Sequence, residues 1–197
     1  MSEQTGGVDA DPLVVTGGTD EAGEEFVRFE VTVHPRPGAG DGGLAHERHL
    51  FDNSDPHVHP KQEERFEVVA GEYGIERDGT EHRLTPGDEL TVPAGTPHRQ
   101  FNPTAEPIRV VHEHRPPRES AEIFESFYAL AQAGETDEKG MPGLLRTAVL
   151  VDEYPGHTYR PTPPVVVQKA MFGALAAVGR LAGYEATHAH EDVTDRT

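Results

Sequence analysis

Three histidines and one glutamate in the first half of the chain have residue types and spacing that suit a metal site. His57 and His59 are two positions apart, so on a β-strand both side chains point to the same face. Glu64 follows shortly after. His98 follows residues 93–97, where two prolines and a glycine predict a tight turn before another strand. Imidazole nitrogens and carboxylate oxygens bind divalent transition metals, so we predict a metal site assembled from strands.

Strand alternation selects Glu64 rather than Glu63 as the carboxylate of this site. Pro60 cannot donate a ladder hydrogen bond, so it can interrupt the pairing and reset the alternation after the two histidines. Downstream, Glu64 shares a face with Phe66 and Val68. An ionised carboxylate on an apolar face is costly to bury unless a cation compensates it. Glu64 is therefore predicted to be the buried ligand and Glu63 to be solvated.

Both segments resemble the two sequence motifs of the cupin superfamily. The second motif, G-x(5)-P-x-G-x(2)-H-x(3)-N, is matched at Gly87, Pro93, Gly95, His98 and Asn102. The first motif, G-x(5)-H-x-H-x(3,4)-E-x(6)-G, is matched at His57, His59, Glu64 and Gly71, with Phe51 in place of the leading glycine. The resemblance implies a small antiparallel jelly-roll barrel whose interior holds one divalent metal ion. Its ligands would be His57, His59, Glu64 and His98.

The elements that must position these residues are predicted to be strands before residue 117 and helices after it. Residues 26–33 and 108–114 have strand patterns, and Asp78-Gly79 has the composition of a hairpin turn. With the barrel that the resemblance implies, the predicted fold is mainly β, followed by an α-helical C-terminal extension. The predicted organisation is a disordered tail (1–11), the cupin barrel (12–116), a helical extension that packs on the barrel or at a dimer interface (117–186), and an acidic tail (187–197).

The extension has helical periodicity. Ser120 is a candidate N-cap for a first helix that Gly134 closes. Its apolar stripe comprises Ile123, Phe124, Phe127, Tyr128 and Ala131. A second helix is predicted from Pro142 to about Glu153, with Leu144, Leu145, Ala148 and Val149 facing inward. Residues 154–164 are rich in proline and predict a rigid connector.

The last predicted helix runs from Val165 to about Tyr184. Its stretch without charged residues, Ala170–Gly179, is far shorter than the roughly 20 residues of a membrane span. We therefore predict no transmembrane helix here. Gly179 and Gly183 are four positions apart and would permit close contact with another helix.

Several other polar residues are candidates for contact with the predicted site. His112 and His114 share a strand face. They could line the barrel beside the metal, as proton shuttles or as hydrogen-bond donors to its ligands, or they could lie outside. Gln100 shares a face with His98 and is a further candidate. The remaining pairs are His46 and His49, predicted to be exposed, and His188 and His190, predicted to lie in a tail without a rigid scaffold for two ligands.

Composition restricts the classes of function. The chain of 197 residues has 35 acidic and 17 basic residues and a formal charge of −18, which argues against nucleic-acid binding. Acid excess with few lysines resembles proteins of salt-loving microbes, and an ordinary acidic protein is the alternative. No cysteine is present, so thiolate ligands and disulfides are excluded. The N-terminus lacks the features of a secretory signal, which predicts a cytoplasmic protein.

Three imidazoles and one carboxylate would leave two open positions on an octahedral ion. With Fe(II), the favoured metal, the site would resemble a cupin dioxygenase that oxidises a small organic molecule. With Zn, Mn or Ni, it could act as an isomerase or hydrolase, and a non-catalytic module that only binds a small molecule is the further alternative. We predict a mononuclear metal-dependent oxidoreductase that acts as a homodimer, and the sequence does not indicate its substrate.

Overall fold

The structure is a computed structural model that describes residues 14–35, 55–137, 141–155 and 157–186. Within these ranges the chain forms two antiparallel sheets and then three helices. The strands are β1 (Val14–Thr19), β2 (Glu25–Val33), β3 (Glu63–Ala70), β4 (Tyr73–Arg77), β5 (Thr80–Leu84), β6 (Glu89–Val92), β7 (His98–Phe101) and β8 (Ile108–Arg115). The helices are α1 (Ser120–Gln132), α2 (Leu144–Glu153) and α3 (Val165–Leu181). The mainly β fold with a helical C-terminal part is as predicted.

The two sheets share one hydrophobic core. The larger sheet has the strand order β1-β2-β8-β3-β6 and the smaller one β5-β4-β7. Alternate residues of β2 are buried, from Val27 to Val33, because successive side chains on a strand point to opposite faces. They pack with Phe66 of β3 and Ile75 of β4 in a single cluster. The interior of the barrel is thus lined by both sheets.

Strands β3 and β8 form the wall that carries the site. They pair antiparallel, with Glu64 opposite His114 and Phe66 opposite His112. Partners directly opposite each other share a face of the sheet. The register therefore brings both β8 histidines to the same face as Glu64.

Two glycine-containing turns fix the first motif and the hairpin after it. Asp78 and Gly79 join β4 to β5 with φ values of 49° and 75°, the conformation expected of a two-residue hairpin turn. Gly71 has φ of 86°, and a Cβ atom there would lie 2.3 Å from Cγ2 of Ile108. Only glycine fits this position without a shift of the strand. The predicted turn at residues 78–79 is confirmed.

Two predictions about the helices are wrong: the cap of α1 and the burial of Leu144 in α2. Ser120 is the first residue of α1 and not its cap; the cap position belongs to Glu119 and has no side-chain hydrogen bond. The Ser120 hydroxyl is instead hydrogen-bonded to Gln62 and His114. Leu144 was predicted to face inward but is 63% exposed, because the buried residues of α2 lie one turn later, at Ala148 to Leu150.

The helical part packs both on the barrel and on itself. Ile123, Phe124 and Leu130 of α1 belong to the barrel core. Helices α2 and α3 form a second small cluster. A Cβ atom on Gly179 of α3 would lie 2.8 Å from the backbone oxygen of Leu145, so glycine permits the close approach that was predicted. Within the described ranges, no helix is long and apolar enough to cross a membrane.

Candidate metal centre

The structure brings His57, His59, Glu64 and His98 together in the barrel interior. One ligand atom from each residue lies within 4.8 Å of the ligand atoms of the others, and all four side chains are buried. His57 and His98 are joined by two backbone hydrogen bonds of 2.8 and 2.9 Å. These bonds connect the segment of the first motif to β7 of the second. The cluster fits a single metal site.

Backbone carbonyl groups determine which nitrogen of each histidine faces the cluster. The Nδ1 atoms of all three contact carbonyl oxygens: His57 with Asp55 at 3.2 Å, His59 with His157 at 2.5 Å and His98 with Thr96 at 2.9 Å. A carbonyl oxygen only accepts, so each Nδ1 carries the proton and donates it. The Nε2 atoms are therefore the ones that could coordinate a metal ion. This arrangement is the usual one for metal-bound histidines.

Strand alternation separates the two neighbouring glutamates as predicted. Glu64 is 2% exposed, whereas Glu63 is partly exposed and forms an ion pair of 2.7 Å with Arg65 on the outer face. The prediction that Glu64 is the buried carboxylate is confirmed.

Four imidazoles surround the Glu64 carboxylate. Its Oε2 atom lies 2.7 Å from Nε2 of His98 and 3.4 Å from Nε2 of His59. Its Oε1 atom lies 3.3 Å from Nε2 of His114 and 3.5 Å from Nδ1 of His112. Burial alone would raise the pKa of Glu64, but the hydrogen bonds from these histidines outweigh it and hold the pKa well below its usual range. Glu64 is therefore a buried anion.

The pKa values of His98 and His57 are shifted in opposite directions. Burial opposes the charged form of His98, but the hydrogen bond to Glu64 and the charge of that carboxylate raise its pKa above the ordinary value. Burial lowers the pKa of His57 well below its ordinary value, with further lowering by His98 and His59. Its Nε2 atom is buried without a hydrogen bond in the described structure. A divalent ion would replace the Nε2 proton of His98 and give Nε2 of His57 a partner.

The remaining candidates from the sequence lie on the inner face. His112 and His114 are 1% and 0% exposed, so of the two alternatives left open the inward one is correct. His112 Nε2 lies 3.1 Å from the hydroxyl of Tyr73, and His114 Nδ1 lies 2.8 Å from the hydroxyl of Ser120. Gln100 is fully buried, and neither polar atom of its amide has a hydrogen bond within the described ranges.

His157 is a site residue that sequence reasoning missed. It was assigned only to the connector between α2 and α3. The structure buries it to 4% exposure, with its ring centroid 5.1 Å from that of His59 and 5.4 Å from that of His114. No strand or helix pattern marks this position, and its neighbours in space are about 40 and 100 residues away in the chain.

The last residue of the second motif has a different task. Asn102 is 6% exposed and folds the turn that follows β7. Its amide donates to the carbonyls of Val33 and Glu106 at 3.0 and 2.8 Å, and its oxygen accepts from the backbone of Thr104 at 2.8 Å. Asn102 thus closes the loop between β7 and β8 through its own hydrogen bonds. Phe51, His46, His49, His188 and His190 lie outside the described residues.

Comparison with known proteins finds a family match in the part of the chain that carries these residues. Residues 51–112 match the Cupin_2 family, described as a cupin domain. Among curated proteins, a probable oxidoreductase of Aspergillus clavatus, patJ, is 51% identical over 47 residues, which are 23% of this chain. The match spans only 15% of that relative. The similar part of the relative is thus a small share of its length.

Solved structures with a similar fold include enzymes of different kinds. A sugar phosphate isomerase of Silicibacter pomeroyi, described as a cupin superfamily protein, is 24% identical. Its TM-score is 0.35 over 47% of this chain and 52% of that one. A salicylate 1,2-dioxygenase of Pseudaminobacter salicylatoxidans is 21% identical, with a TM-score of 0.37 over 49% of this chain and 23% of that one. No activity or substrate of this chain follows from likeness at this level.

Proposed function

We propose that the chain, whose residues 51–112 match the cupin domain family, binds one divalent metal ion and uses it to oxidise a small organic molecule. The proposed ligands are His57, His59, Glu64 and His98. The observation that supports them is the convergence of their four ligand atoms to within 4.8 Å of one another in a buried cluster. Buried charges are tolerated when a counter-charge is present. The Glu64 carboxylate is a buried negative charge, and a bound metal ion would be its counter-charge.

The donor set favours a reactive metal over one that only braces the barrel. A bound Fe(II) ion, the metal we propose, would have two positions without protein ligands, where a small molecule and dioxygen can meet. The protein would hold the histidines in one tautomer through the three carbonyl contacts. It would also keep water away, since all four proposed ligands are buried. This arrangement suits a dioxygenase-like oxidoreductase.

Aromatic side chains around the cluster support an organic ligand. The ring of Phe66 lies 4.7 Å from that of His112, and Phe29 lies 5.6 Å from that of His114, both edge-on. Phe124 of α1 contacts His114 and His157 at 5.6 and 5.4 Å. These rings form an apolar surface beside a polar centre, the usual character of a small-molecule site.

Metal analysis and oxygen uptake test this proposal. Native protein purified in high salt should contain one divalent ion per chain. After anaerobic reconstitution with Fe(II), we expect substrate-dependent oxygen consumption with at least one member of a panel of phenols, thiols and diketones. Stoichiometric metal without oxygen uptake across the panel would contradict the oxidation and leave metal binding intact.

A non-catalytic binding module and a metal-dependent isomerase are the alternatives that this experiment separates. In a binding module, ligands of the panel raise the melting temperature but are recovered unchanged. In an isomerase loaded with Zn, Mn or Ni, product forms without oxygen consumption. Mass analysis of the recovered ligand therefore identifies which of the three applies.

We also propose that the chain is cytoplasmic and forms a homodimer through α3. This helix exposes large apolar side chains in the described structure, among them Val166 (73%) and Leu181 (90%). Contiguous exposed apolar surface often marks a protein interface. Light scattering after size exclusion should show a dimer, and Leu181→Glu should give a monomer. A wild-type monomer at high concentration would contradict the dimer without affecting the metal site.

A further inference from the structure

The connector between α2 and α3 is attached to the segment of the first motif. Val58 and Tyr159 are joined by two backbone hydrogen bonds of 2.8 and 3.0 Å. On the other side, the buried amide of Gln168 in α3 donates to the carbonyl of Arg160 at 2.8 Å and accepts from its backbone N–H at 3.1 Å. The backbone on the C-terminal side of His157 is therefore held against both the barrel and α3.

This attachment fixes the ring of His157 among the residues of the metal centre. The carbonyl of His157 accepts the Nδ1 proton of His59 at 2.5 Å. Its ring packs against the rings of His59, His114 and Phe124, with centroid separations between 5.1 and 5.4 Å. His157 thus contacts a proposed ligand with both its backbone and its side chain.

The ring of His157 lacks the polar partners that its burial requires. Neither Nδ1 nor Nε2 has a hydrogen bond within the described ranges, although both atoms are buried. Buried polar atoms without a partner are rare in folded proteins because they lose the hydrogen bonds of water. Two such nitrogens on one buried ring indicate that a bound group completes them.

We propose that His157 binds the small molecule that occupies the metal centre, and that the helical extension thereby contributes a residue to the site. This inference rests on the proposed metal binding. A neutral imidazole donates one hydrogen bond and accepts one. The matching ligand carries a hydroxyl or an anionic oxygen or nitrogen on an apolar body that packs on Phe124.

Azide binding to the Cu(II)-loaded protein tests this role without the need for a known substrate. The azide-to-copper charge-transfer band reports its affinity for the metal. His157→Phe keeps an aromatic ring against Phe124 but removes both nitrogens. We expect it to retain one Cu(II) per chain and to bind azide about tenfold more weakly, the effect of losing one hydrogen bond to a charged group. His157→Gln restores an amide donor and should recover most of the affinity.

His82→Phe is the matched control, since His82 is a partly exposed histidine of β5. It should bind copper and azide as the wild type does, and the melting temperature of each variant shows whether it is folded. Unchanged azide affinity in folded His157→Phe would overturn the proposed role. Loss of copper from both His157 variants would also overturn it, since His157 would then support the ion and not its guest. A wild-type protein that binds no stoichiometric metal would overturn the proposed function itself, which distinguishes that failure from the other two.

Discussion

Glu64 and Glu113 lie on the paired strands β3 and β8, and each gathers several basic side chains on its own face of the sheet. Glu64 points inward to His59, His98, His112 and His114. Glu113 points to the outer face, where its partners are Arg28, Arg65 and Arg115. The register places Glu64 opposite His114 and Arg65 opposite Glu113. One residue step along the same ladder therefore separates a histidine cluster from an arginine cluster.

The residues around Glu113 on the outer face form the outer cluster, and the charges in it are balanced by the protein. Arg115 donates to Glu113 at 2.5 Å and also to Asp20. Burial would raise the pKa of Glu113, but the hydrogen bonds and charges of Arg115 and Arg28 hold it below the ordinary value. Guanidinium groups are always charged at physiological pH. Every charge in this cluster therefore has a counter-charge from the protein itself.

The histidines around Glu64 form the inner cluster, and they do not balance its charge in the same way. Its bases are imidazoles, and burial lowers the pKa values of His57, His114 and His157. Neutral imidazoles leave lone pairs and an anionic carboxylate without a permanent cation, which is what a metal ion supplies. Two carboxylates with lowered pKa values can thus have different roles. The type of base beside them, and not the pKa shift, distinguishes the candidate metal site from the structural ion cluster.

Removing each carboxylate in turn gives the largest predicted difference. Glu64→Gln, His57→Ala and His98→Ala should each release the metal, because each removes a proposed ligand. The affinity should fall by at least about 100-fold, the upper end of what loss of a residue that only supports a ligand costs. Metal content after desalting and competition with a chelator measure the effect.

The controls for this prediction lie on the same two strands. Glu113→Gln changes a buried carboxylate of the outer face, and Glu63→Ala changes the partly exposed neighbour of Glu64. Both should keep one metal ion per chain. Equal metal loss in Glu63→Ala and Glu64→Gln would refute the strand-alternation argument, and equal loss in Glu113→Gln would remove the distinction between the two clusters.

The sequence was sufficient for the inner cluster where local rules apply. Alternation along β3 distinguished Glu64 from Glu63, and the turn before β7 placed His98. The same rules could not assign the outer cluster, because the contact between Arg115 and Asp20 joins residues 95 positions apart. Such contacts depend on which strands become neighbours, which no local pattern encodes.

The helical part shows the same limit more strongly. Ser120 has the residue type of a cap, yet tertiary contacts with Gln62 and His114 use its hydroxyl. His157 lies in an irregular segment, so neither a period of two nor one of 3.6 residues indicates its direction. Its position follows from the pairing of Val58 with Tyr159, a contact between the first motif and the extension. Propensity is a weak guide where such tertiary contacts decide.

The stability of the outer cluster provides the next prediction. Glu113→Gln should lower the free energy of unfolding by about 1.5–3 kcal/mol, because the hydrogen bonds from Arg115 and Arg28 lose their charged acceptor. Urea unfolding of metal-free protein measures this loss without interference from metal binding. An unchanged unfolding midpoint would mean that water already solvates Glu113, and the outer cluster would then be a surface feature.

The two clusters should also lose stability in different pH ranges. In metal-free protein the lowered pKa values of His57, His114 and His157 mean that the unfolded state binds more protons below its pKa of about 6.5. Stability should therefore fall as the pH drops below that value. The raised pKa of His98 acts in the opposite direction, but its contribution is already complete when the pH has fallen to about 6.5, so it lies above this window.

The outer cluster responds only at lower pH. The pKa values of Glu113 and Asp20 are lowered, so their contribution is present above the unfolded values of 4.5 and 3.8 and is lost as the pH falls through the native values. The difference between wild type and Glu113→Gln should persist at about pH 5.5 and disappear at acid pH. Urea unfolding at several pH values measures both windows. Constant wild-type stability between about pH 6.5 and pH 5.5 would contradict the loss of stability predicted for the inner cluster.

The smallest predicted difference lies within the outer cluster, between its two main arginines. The side chain of Arg28 is 50% exposed and that of Arg115 only 9%, so solvent screens the first ion pair much more than the second. Arg28→Ala should cost at most about 1 kcal/mol, as exposed ion pairs do. Arg115→Ala should cost more, because it leaves Glu113 buried without its main partner. Urea unfolding of the two variants in low and in high salt tests this. Only the Arg28 effect should vanish in high salt, since screening acts on exposed pairs, and equal loss of both effects would place the whole outer cluster in water.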